Sequence, residues 1–393
     1  MGIMVEKIKA FVKKEIVFVI SFILAAASCF FVKPSADYIN YIDTKVLYLL
    51  FAFMAVVAGL RECGVFDKCA KFMCKLSGSV RTIGIALVFM CFVFSMLITN
   101  DVALLTFVPF TVMLLASCGQ TKHVVYIIVL ETIGANLGSM LTPMGNPQNL
   151  FLYSSMGLTA IQFCKILLPY TIVSALLLVV CCFFIPGKKL FEDEAKKNEF
   201  FASENQSQEN SGLRVFRTIV YLVLFAVCIL SVLKIIPAWI LAIVVAAAVA
   251  AVQVKNLLKV DYILLLTFVC FFIFSGNIQN IAVIKEKLEG IVAGHEFITG
   301  ILSSQIISNV LATLLLYPFV DGINGAKELL IGVDMGGLGT IIASLASLIS
   351  YKLYANAEGA DGKKFIGQFT LMSLIFIAVL VCAKLIFSNL LHW

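Results

Sequence analysis

Two short polar motifs interrupt long apolar stretches of this sequence, and both contain groups that could bind an ion or a small anion. The first, Thr-Asn-Asp at 99–101, lies within 82–117, and the second, Ser-Asn at 308–309, lies within 297–319. A Pro-Phe pair follows each asparagine nine residues later. Free backbone amides at the start of a helix attract anions, whereas open carbonyls coordinate cations. The repeated placement therefore predicts two related tips that contribute to one binding site.

Three acidic residues, Asp101, Glu131 and Asp334, lie in apolar segments with no Lys or Arg nearby in the sequence. A carboxylate inside a bilayer is costly unless it meets water, a proton or a cation. We therefore predict that Asp101 binds or exchanges a coupling cation, H+ or Na+. A structural alternative is that Asp101 caps the N-terminus of the helix that follows it.

The composition identifies the class of protein that must hold these motifs. The chain has 393 residues, of which 61% are hydrophobic and only 13% are charged, whereas charged residues make up about 25% of ordinary soluble domains. Because a helix satisfies its own backbone hydrogen bonds in lipid, runs of about 20 apolar residues predict membrane spans. The fold class is therefore an all-α polytopic membrane protein. Spans are predicted near 16–33, 44–61, 124–142, 161–185, 217–236, 237–254, 262–281, 329–350 and 365–391.

Lysine and arginine are concentrated in the short connections, which tend to remain in the cytoplasm. Their placement predicts a multi-pass protein of the cytoplasmic membrane with its N-terminus inside. The formal net charge of +6 then reflects topology and contact with anionic lipid headgroups. A nucleic-acid partner would require a folded basic face with interleaved aromatic residues, and the sequence shows none. The basic segments are 1–14, 61–81, 187–217, 255–259 and 352–364.

Enzymatic and metal-binding chemistry finds little support in the sequence. The twelve cysteines form no CxxC pair and there are only three histidines, so neither a disulfide framework nor a zinc site is expected. HExxH and phosphate-binding motifs are lacking, and the aspartates do not stand in intramembrane-protease contexts. We therefore predict that the protein is not an enzyme and has no cofactor beyond a coupling ion. A channel is an alternative, because re-entrant loops also line pores.

The segments that follow the polar motifs contain too many helix breakers for plain lipid-facing helices. GANLGSMLTPMGNPQNLFLY at 134–153 contains three Gly, two Pro and three Asn, and GVDMGGLGTIIASLAS at 332–347 contains four Gly. Both predict broken transmembrane helices, placed at 124–153 and 329–350. The glycine spacing also fits small-xxx-small packing between helices, which is the alternative interpretation. The segments match position by position, and the pairs include Gly134 with Gly332, Asn136 with Asp334, Gly138 with Gly336, Gly145 with Ala343 and Asn146 with Ser344.

The two halves of the chain are organised alike. A first repeat at 1–186 and a second at 237–393 each contain a polar hairpin followed by a broken helix. A hydrophilic cytoplasmic linker at 187–217 and one transmembrane helix at 218–236 separate them. One unpaired crossing turns the second repeat upside down, so the repeats are predicted to be inverted, which is typical of carriers. The arms of 82–117 count about 16 to 17 residues each, short of the roughly 20 that cross a bilayer, and therefore predict a re-entrant hairpin.

At these motifs the chain resembles the ion transporter superfamily, which includes citrate and dicarboxylate carriers, arsenite efflux permeases and sodium/proton antiporters. The resemblance covers nearly the whole chain and rests on the two tips and on Gly-Asn-Pro-Gln-Asn at 145–149, which is similar to the G-[DSN]-P-x-N turn of that superfamily. It implies an elevator-type carrier, often a homodimer. A transport domain of both hairpins and both broken helices would slide against a scaffold formed by the other helices.

In dicarboxylate members of that superfamily, Ser-Asn-Thr tips contact the substrate and nearby carbonyls hold sodium. Both tips lack the third threonine here, and an acid stands at position 101, which favours proton coupling, a cationic substrate or a neutral species such as arsenous acid. The leading hypothesis is ion-coupled secondary transport of a small anion, first of all a carboxylate such as citrate or a dicarboxylate. A sodium/proton antiporter and an arsenite efflux permease are the alternatives.

The expected site joins the tips to the broken helices. Its polar residues could instead form only hydrogen bonds between helices, which is the structural alternative. We expect the substrate to contact Thr99, Asn100, Asn146, Asn149, Ser308, Asn309, Thr340 and Ser344. We expect the coupling ion to lie near Asp101, Asn136, Gly145, Asp334 and Ala343.

Overall fold

Helices form almost the whole of the described chain. The structure, a computed structural model, describes residue 6 and residues 15–36, 38–191, 211–357 and 359–391. Within these ranges there is no β-sheet, and strand-like pairing is confined to one bridge between Ser79 and Lys189. The all-α fold class predicted from composition is confirmed.

Nine α-helices lie in the described part of the first half. Two of them, α5 and α6, form the first hairpin, and α7 and α8 form the first broken helix. The bounds are α1 Ile16–Ser28, α2 Tyr38–Tyr41, α3 Thr44–Glu62, α4 Val65–Leu76, α5 Val80–Ile98, α6 Asn100–Ser117, α7 Val124–Ser139, α8 Pro147–Met156 and α9 Ala160–Cys182.

The described part of the second half also contains nine α-helices. The second hairpin consists of α14 and α15, and the second broken helix consists of α16 and α17. The bounds are α10 Ser211–Val232, α11 Ala238–Gln253, α12 Tyr262–Gln279, α13 Ala282–Val292, α14 Glu296–Ile307, α15 Asn309–Leu316, α16 Gly322–Gly336, α17 Leu345–Ala355 and α18 Gly362–Leu391.

Eight helices of the described chain are long and apolar enough to cross a membrane, namely α3, α5, α6, α9, α10, α11 with its 3-10 extension to Lys259, α12 and α18. Nine spans were predicted, of which six are among these eight; the other two, α5 and α6, were predicted as hairpin arms, and three predicted spans do not qualify. Helix α1 has only 13 residues, which gives about 20 Å at 1.5 Å per residue. The spans predicted at 124–142 and 329–350 are divided by breaks after Ser139 and Gly336. The polytopic membrane architecture is unaffected.

The two hairpins differ in length. Arms α5 and α6 have 19 and 18 residues, slightly more than the sequence suggested. For α5 the reason is an N-cap, because the Ser79 hydroxyl accepts from the Thr82 amide at 3.1 Å and the helix starts at Val80. Arms α14 and α15 have only 12 and 8 residues, about 18 and 12 Å along their axes. The arms of the second hairpin are too short to cross a bilayer, whereas those of the first hairpin are not. The re-entrant form remains a prediction for both hairpins.

Glycines bring each broken helix against the first arm of the hairpin before it. A Cβ at Gly138 in α7 would lie 2.0 Å from the Phe92 carbonyl oxygen in α5. A Cβ at Gly332 in α16 would lie 2.3 Å from the Phe297 carbonyl oxygen in α14. The packing interpretation of these glycines is therefore confirmed, since only a residue without a side chain allows this approach.

The described helices pack in two groups. In the first group, α3 contacts α10 and α11, while α12 packs along α1. In the second group, the hairpins and broken helices pack on one another, and α9 and α18 lie against α7. The second arm of each hairpin also crosses to the other half, because α6 packs against α17 and α15 packs against α8. The polar motifs of both halves are thereby held within one group.

Both ends of the segment predicted as a linker, 187–217, are attached to the fold. Near its start, the Leu190 side chain is only 1% exposed. At its end, α10 begins seven residues before the predicted position 218, and the Arg214 Nε donates to the Cys63 carbonyl at 3.0 Å. Residues 211–217 thus belong to a helix that is fastened to the end of α3. The rest of the predicted linker, 192–210, lies outside the described residues.

Substitution of Gly138 by Ala should destabilise the protein, because the new methyl group would overlap the Phe92 carbonyl of α5. Overpacking of this kind costs about 1–3 kcal/mol. Thermal unfolding of the purified protein in detergent should show a midpoint several degrees lower. The matched control is Gly367→Ala in α18, where a Cβ meets nothing within 4 Å. Equal midpoints for the two variants would contradict the close packing of α7 on α5.

Candidate substrate and ion site

Each hairpin turns at a residue with an unusual backbone conformation. Thr99 has φ 79° and Ser308 has φ 73°, and the only other described non-glycine residue with positive φ is Lys234. This region is disfavoured for residues with a Cβ, at a cost of about 1–3 kcal/mol, and persists where the surrounding contacts enforce it. The two tips are therefore held by specific interactions.

The same backbone hydrogen bond holds both tips. The Asn100 amide donates to the Gly145 carbonyl at 3.0 Å, and the Asn309 amide donates to the Ala343 carbonyl at 2.8 Å. Each asparagine side chain also accepts from the next amide, at 3.0 Å for Asp101 and 2.9 Å for Val310. Each tip is thus fastened to the break of the following helix, as expected if the two halves are repeats.

Asn136 in α7 links the first tip to the second half. Its Oδ1 accepts from the Asn100 Nδ2 at 3.1 Å and from the Ser344 hydroxyl at 2.9 Å. Its Nδ2 donates to the Ser347 hydroxyl at 2.9 Å and to the Thr132 carbonyl at 3.0 Å. Because Ser344 directly follows Ala343, which holds the second tip, Asn136 lies between the two tips. The sequence-based expectation that the tips meet agrees with this geometry.

Asp334 makes the corresponding contacts from the second half to the first. Its Oδ1 accepts from the Asn146 Nδ2 at 3.3 Å and from the Gln148 Nε2 at 3.4 Å. The residue is 3% exposed, and its Oδ2 has no hydrogen-bond partner among the described residues. The ion pairs of the described chain do not include it either. A buried carboxylate in this position requires a proton or a cation.

Amide side chains donate hydrogen bonds to the backbone carbonyls that have no helical partner at each break. The Asn149 Nδ2 donates to the Met140 carbonyl at 3.0 Å and to the Thr142 carbonyl at 3.3 Å. In the second break, the Gln305 Nε2 donates to the carbonyls of Gly336 at 2.8 Å and Leu338 at 2.9 Å. The Asn149 Oδ1 is itself buried without a partner in the described chain. Together with the free Asp334 oxygen it could serve as a ligand for a hard cation, which prefers oxygen.

A cavity of about 760 Å³ separates the two groups of helices. One end of its wall carries Thr99 and Asp101 at the start of α6 and Pro147 at the start of α8, and the hydrogen bond from the Asn100 amide to the Gly145 carbonyl keeps these two starts together. Two helix N-termini therefore converge on this end, and such termini attract anions. The remaining lining residues are Leu50, Phe53, Met54, Val57, Ala58, Arg61, Glu62, Val102, Leu105, Thr106, Pro109, Phe110, Met113, Lys259, Asp261, Leu264 and Ile349.

Asp101 is the second residue of α6, and Thr99 occupies the cap position before the helix. The structure therefore does not place Asp101 as the N-cap, which was its structural alternative. Its side chain is half-buried and borders the cavity, where an incoming ion could reach it. A carboxylate beside two helix N-termini can hold a proton or a cation next to a bound anion.

The structure brings most of the predicted residues together. The exception is Thr340, which is exposed and donates from its amide to the Gln305 Oε1 at 2.9 Å on the outer side of the second tip. Two residues of the central network were not predicted, Gln148 and Ser347. Ser347 occupies the position that pairs with Asn149 when the two breaks are matched, so the repeat itself could have identified it. The buried predicted residues are Asn100, Asn136, Gly145, Asn146, Asn149, Ser308, Asn309, Asp334, Ala343 and Ser344.

Glu131 lies apart from this network. It is fully buried, and its Oε1 accepts from the Thr111 hydroxyl at 2.5 Å. Its Oε2 has no partner among the described residues. The third acidic residue of the apolar segments is therefore buried between α6 and α7, about two helical turns from the break after Ser139.

The sequence of the chain is similar to those of known transporters. A statistical description of the citrate transporter family matches residues 1–334. An uncharacterized transporter of Methanocaldococcus jannaschii is 30% identical over 346 residues, which cover 87% of this chain and 88% of that protein. The inner membrane protein YbiR of Escherichia coli is 29% identical over 318 residues, or 79% of this chain and 80% of that protein.

Substitution of Asn136 by Ala should destabilise the protein, because Asn100 and Ser347 lose their partner in a buried site. Each buried polar group left unpaired costs about 1–3 kcal/mol. The matched control is Asn356→Ala, since the Asn356 side chain is exposed at the end of α17 and a surface change costs about 0.5 kcal/mol or less. Thermal unfolding in detergent measures both. A smaller loss for Asn136→Ala than for Asn356→Ala would contradict the central role of Asn136.

Proposed function

The chain belongs to the citrate transporter family within the ion transporter superfamily, and from this membership we propose that it is an ion-coupled secondary transporter of small carboxylates, citrate first. The observation that carries the coupling is the position of Asp101. Its carboxylate borders the same cavity end as the N-termini of α6 and α8. Substrate and coupling ion would therefore occupy neighbouring positions.

The electrostatics of the cavity end explain why the two would move together. The helix N-termini attract a carboxylate, whereas an ionised Asp101 repels it. Two negative charges a few ångströms apart in a partly desolvated site repel strongly. A proton on Asp101, or a cation beside it, removes this repulsion. Anion binding at this end thus favours simultaneous binding of H+ or Na+, which is the energetic basis of symport.

Asp334 supports a second coupling position. It is buried, its Oδ2 has no partner in the described chain, and it lies among amide groups from the first half. Its counterpart Asn136 is neutral, so at this matched pair of positions the requirement for a cation or a proton falls on Asp334 alone. We assign Asp334 and the neighbouring Asn149 oxygen to a buried cation or proton site.

The arrangement of the helices supports an elevator-type movement. The polar motifs all belong to the group of hairpins and broken helices, and the cavity lies where this group faces α3 and the start of α12. Sliding of one group along the other would carry the site across the membrane without opening its buried centre. The protein would form a homodimer, as the resemblance to the ion transporter superfamily implies.

Purified protein in proteoliposomes should accumulate radiolabelled citrate when an inward gradient of H+ or Na+ is imposed. Accumulation should disappear when an ionophore collapses the gradient, because the coupled ion supplies the driving force. Gradient-independent flux would contradict coupling. Sodium-driven proton movement that does not change when citrate or another carboxylate is added would instead support cation/proton antiport. Asp101 and Asp261, which line the same cavity, would contribute to it.

Substitution of Asp101 by Asn should remove the pH dependence of citrate binding if the coupling ion is a proton. The amide imitates the protonated carboxyl, so binding should stay strong as the pH rises, whereas the wild-type protein should lose affinity. The measurement is equilibrium binding of radiolabelled citrate across neutral pH. Asp321→Asn is the matched control, since Asp321 is exposed and makes no side-chain cap bond. Citrate itself titrates in the same pH range, and its titration affects both variants equally. Identical pH profiles of citrate binding for the two variants would therefore contradict a proton on Asp101.

A further inference from the structure

A proline in α6 leaves one backbone carbonyl without its helical partner. Pro109 stands inside the helix, and it has no N–H to donate to the carbonyl four residues earlier. That carbonyl belongs to Leu105, which lines the cavity together with Pro109. An open carbonyl facing a partly apolar cavity needs a donor from elsewhere in the protein.

Arg61 supplies this donor from the opposite wall. Its Nη2 donates to the Leu105 carbonyl at 3.0 Å. Arg61 lies in the last turn of α3 and also lines the cavity. The guanidinium has five N–H groups in a planar fork, so one fixed contact orients it and leaves other donors for a ligand.

Three of the other four charged side chains of the cavity wall already have ion-pair or hydrogen-bond partners, and the fourth, Asp101, is an acid. Glu62 forms an ion pair with Lys259 and accepts from the Gln253 Nε2 at 2.7 Å. Asp261 accepts from the Leu264 amide at 2.9 Å as the N-cap of α12. Arg61 takes part in none of the ion pairs of the described chain. It is therefore the arginine of the cavity whose charge is available to an anion.

The spacing along α6 suggests what kind of anion fits. Leu105 lies four residues from Asp101, which corresponds to about 6 Å along the helix axis. Leu105, whose carbonyl accepts from Arg61, is thus about one helical turn from the cavity end where the N-termini of α6 and α8 converge. A di- or tricarboxylate can place one carboxylate at each position, whereas a monocarboxylate can fill only one.

We propose that Arg61, oriented by the carbonyl that Pro109 leaves open, binds a second carboxylate of the substrate and selects di- and tricarboxylates over monocarboxylates. This inference rests on the proposed function, because it assigns the substrate class of the same cavity. Arginine suits the role because its fork can hold a carboxylate through two parallel hydrogen bonds.

The test is equilibrium binding and proteoliposome uptake of radiolabelled citrate, with succinate and acetate as competitors. Arg61→Gln should weaken citrate binding and raise the KM for citrate about tenfold, as expected for loss of one charge-assisted contact, with little change in kcat. Competition by acetate should stay unchanged. Arg61→Lys should restore part of the affinity, because it keeps the charge without the fork.

Arg81→Gln is the matched control. The Arg81 Nε also donates to a backbone carbonyl, that of Ile185, at 2.7 Å, but Arg81 does not line the cavity. This variant should bind citrate as the wild type does. A second variant, Pro109→Ala, restores an N–H for the Leu105 carbonyl and should release Arg61, weakening citrate binding less than Arg61→Gln does.

The outcomes separate this inference from the proposed function. Wild-type protein that binds citrate without gradient-driven uptake overturns the proposed coupling, while weaker binding by Arg61→Gln still supports the role of Arg61. Equal citrate affinities for Arg61→Gln and Arg81→Gln overturn the role of Arg61 and leave transport intact. Equal loss of citrate and acetate binding by Arg61→Gln overturns the selection of polycarboxylates. Wild-type protein that binds neither citrate nor succinate overturns both.

Discussion

Open backbone groups inside an apolar protein must find partners, and this requirement organises the centre of the molecule. Each helix break exposes carbonyls, and each hairpin tip exposes amides that no helical turn can satisfy. The amides of Asn100 and Asn309 meet the carbonyls of Gly145 and Ala343. Each bond joins two elements that would each be unstable alone in lipid. The polar site is thus a consequence of irregular backbone that can exist only where protein surrounds it.

The two halves build this arrangement with different charges. Asn136 in the first half bonds to Ser344 and Ser347, and Asp334 in the second half bonds to Asn146 and Gln148. An asparagine supplies both donors and acceptors and is satisfied by its neighbours, whereas an ionised aspartate only accepts. The neutral position is suited to tying the tips together, and the acidic position is suited to holding a cation or a proton. A change from amide to carboxylate at one matched position can therefore give the two halves different chemistry at the centre of the molecule.

The sequence predicted the kinds of element better than their limits. Composition and the duplicated Asn, Pro and Gly positions were sufficient for the helical fold class, the two interruptions and most of the buried network, because each reflects a local backbone requirement. The start of α5 depended on a cap at Ser79, and the start of α10 depended on contact with the end of α3, so both were placed too late. Thr340 was included for its type and position near the break, but the turn directs it outward to Gln305. Side-chain direction in an irregular turn depends on tertiary contacts that no pattern of residue types contains.

The paired prolines show how one chemical constraint can have two outcomes. Pro318 follows the end of α15, where the chain passes into a short 3-10 turn at Tyr317–Phe319, so the helix stops as proline normally requires. Pro109 lies in the middle of α6, and the helix continues to Ser117. Continuation is possible because Arg61 takes the carbonyl that the proline leaves open. The continuation of α6 past Pro109 and the position of the Arg61 guanidinium in the cavity wall therefore depend on one hydrogen bond.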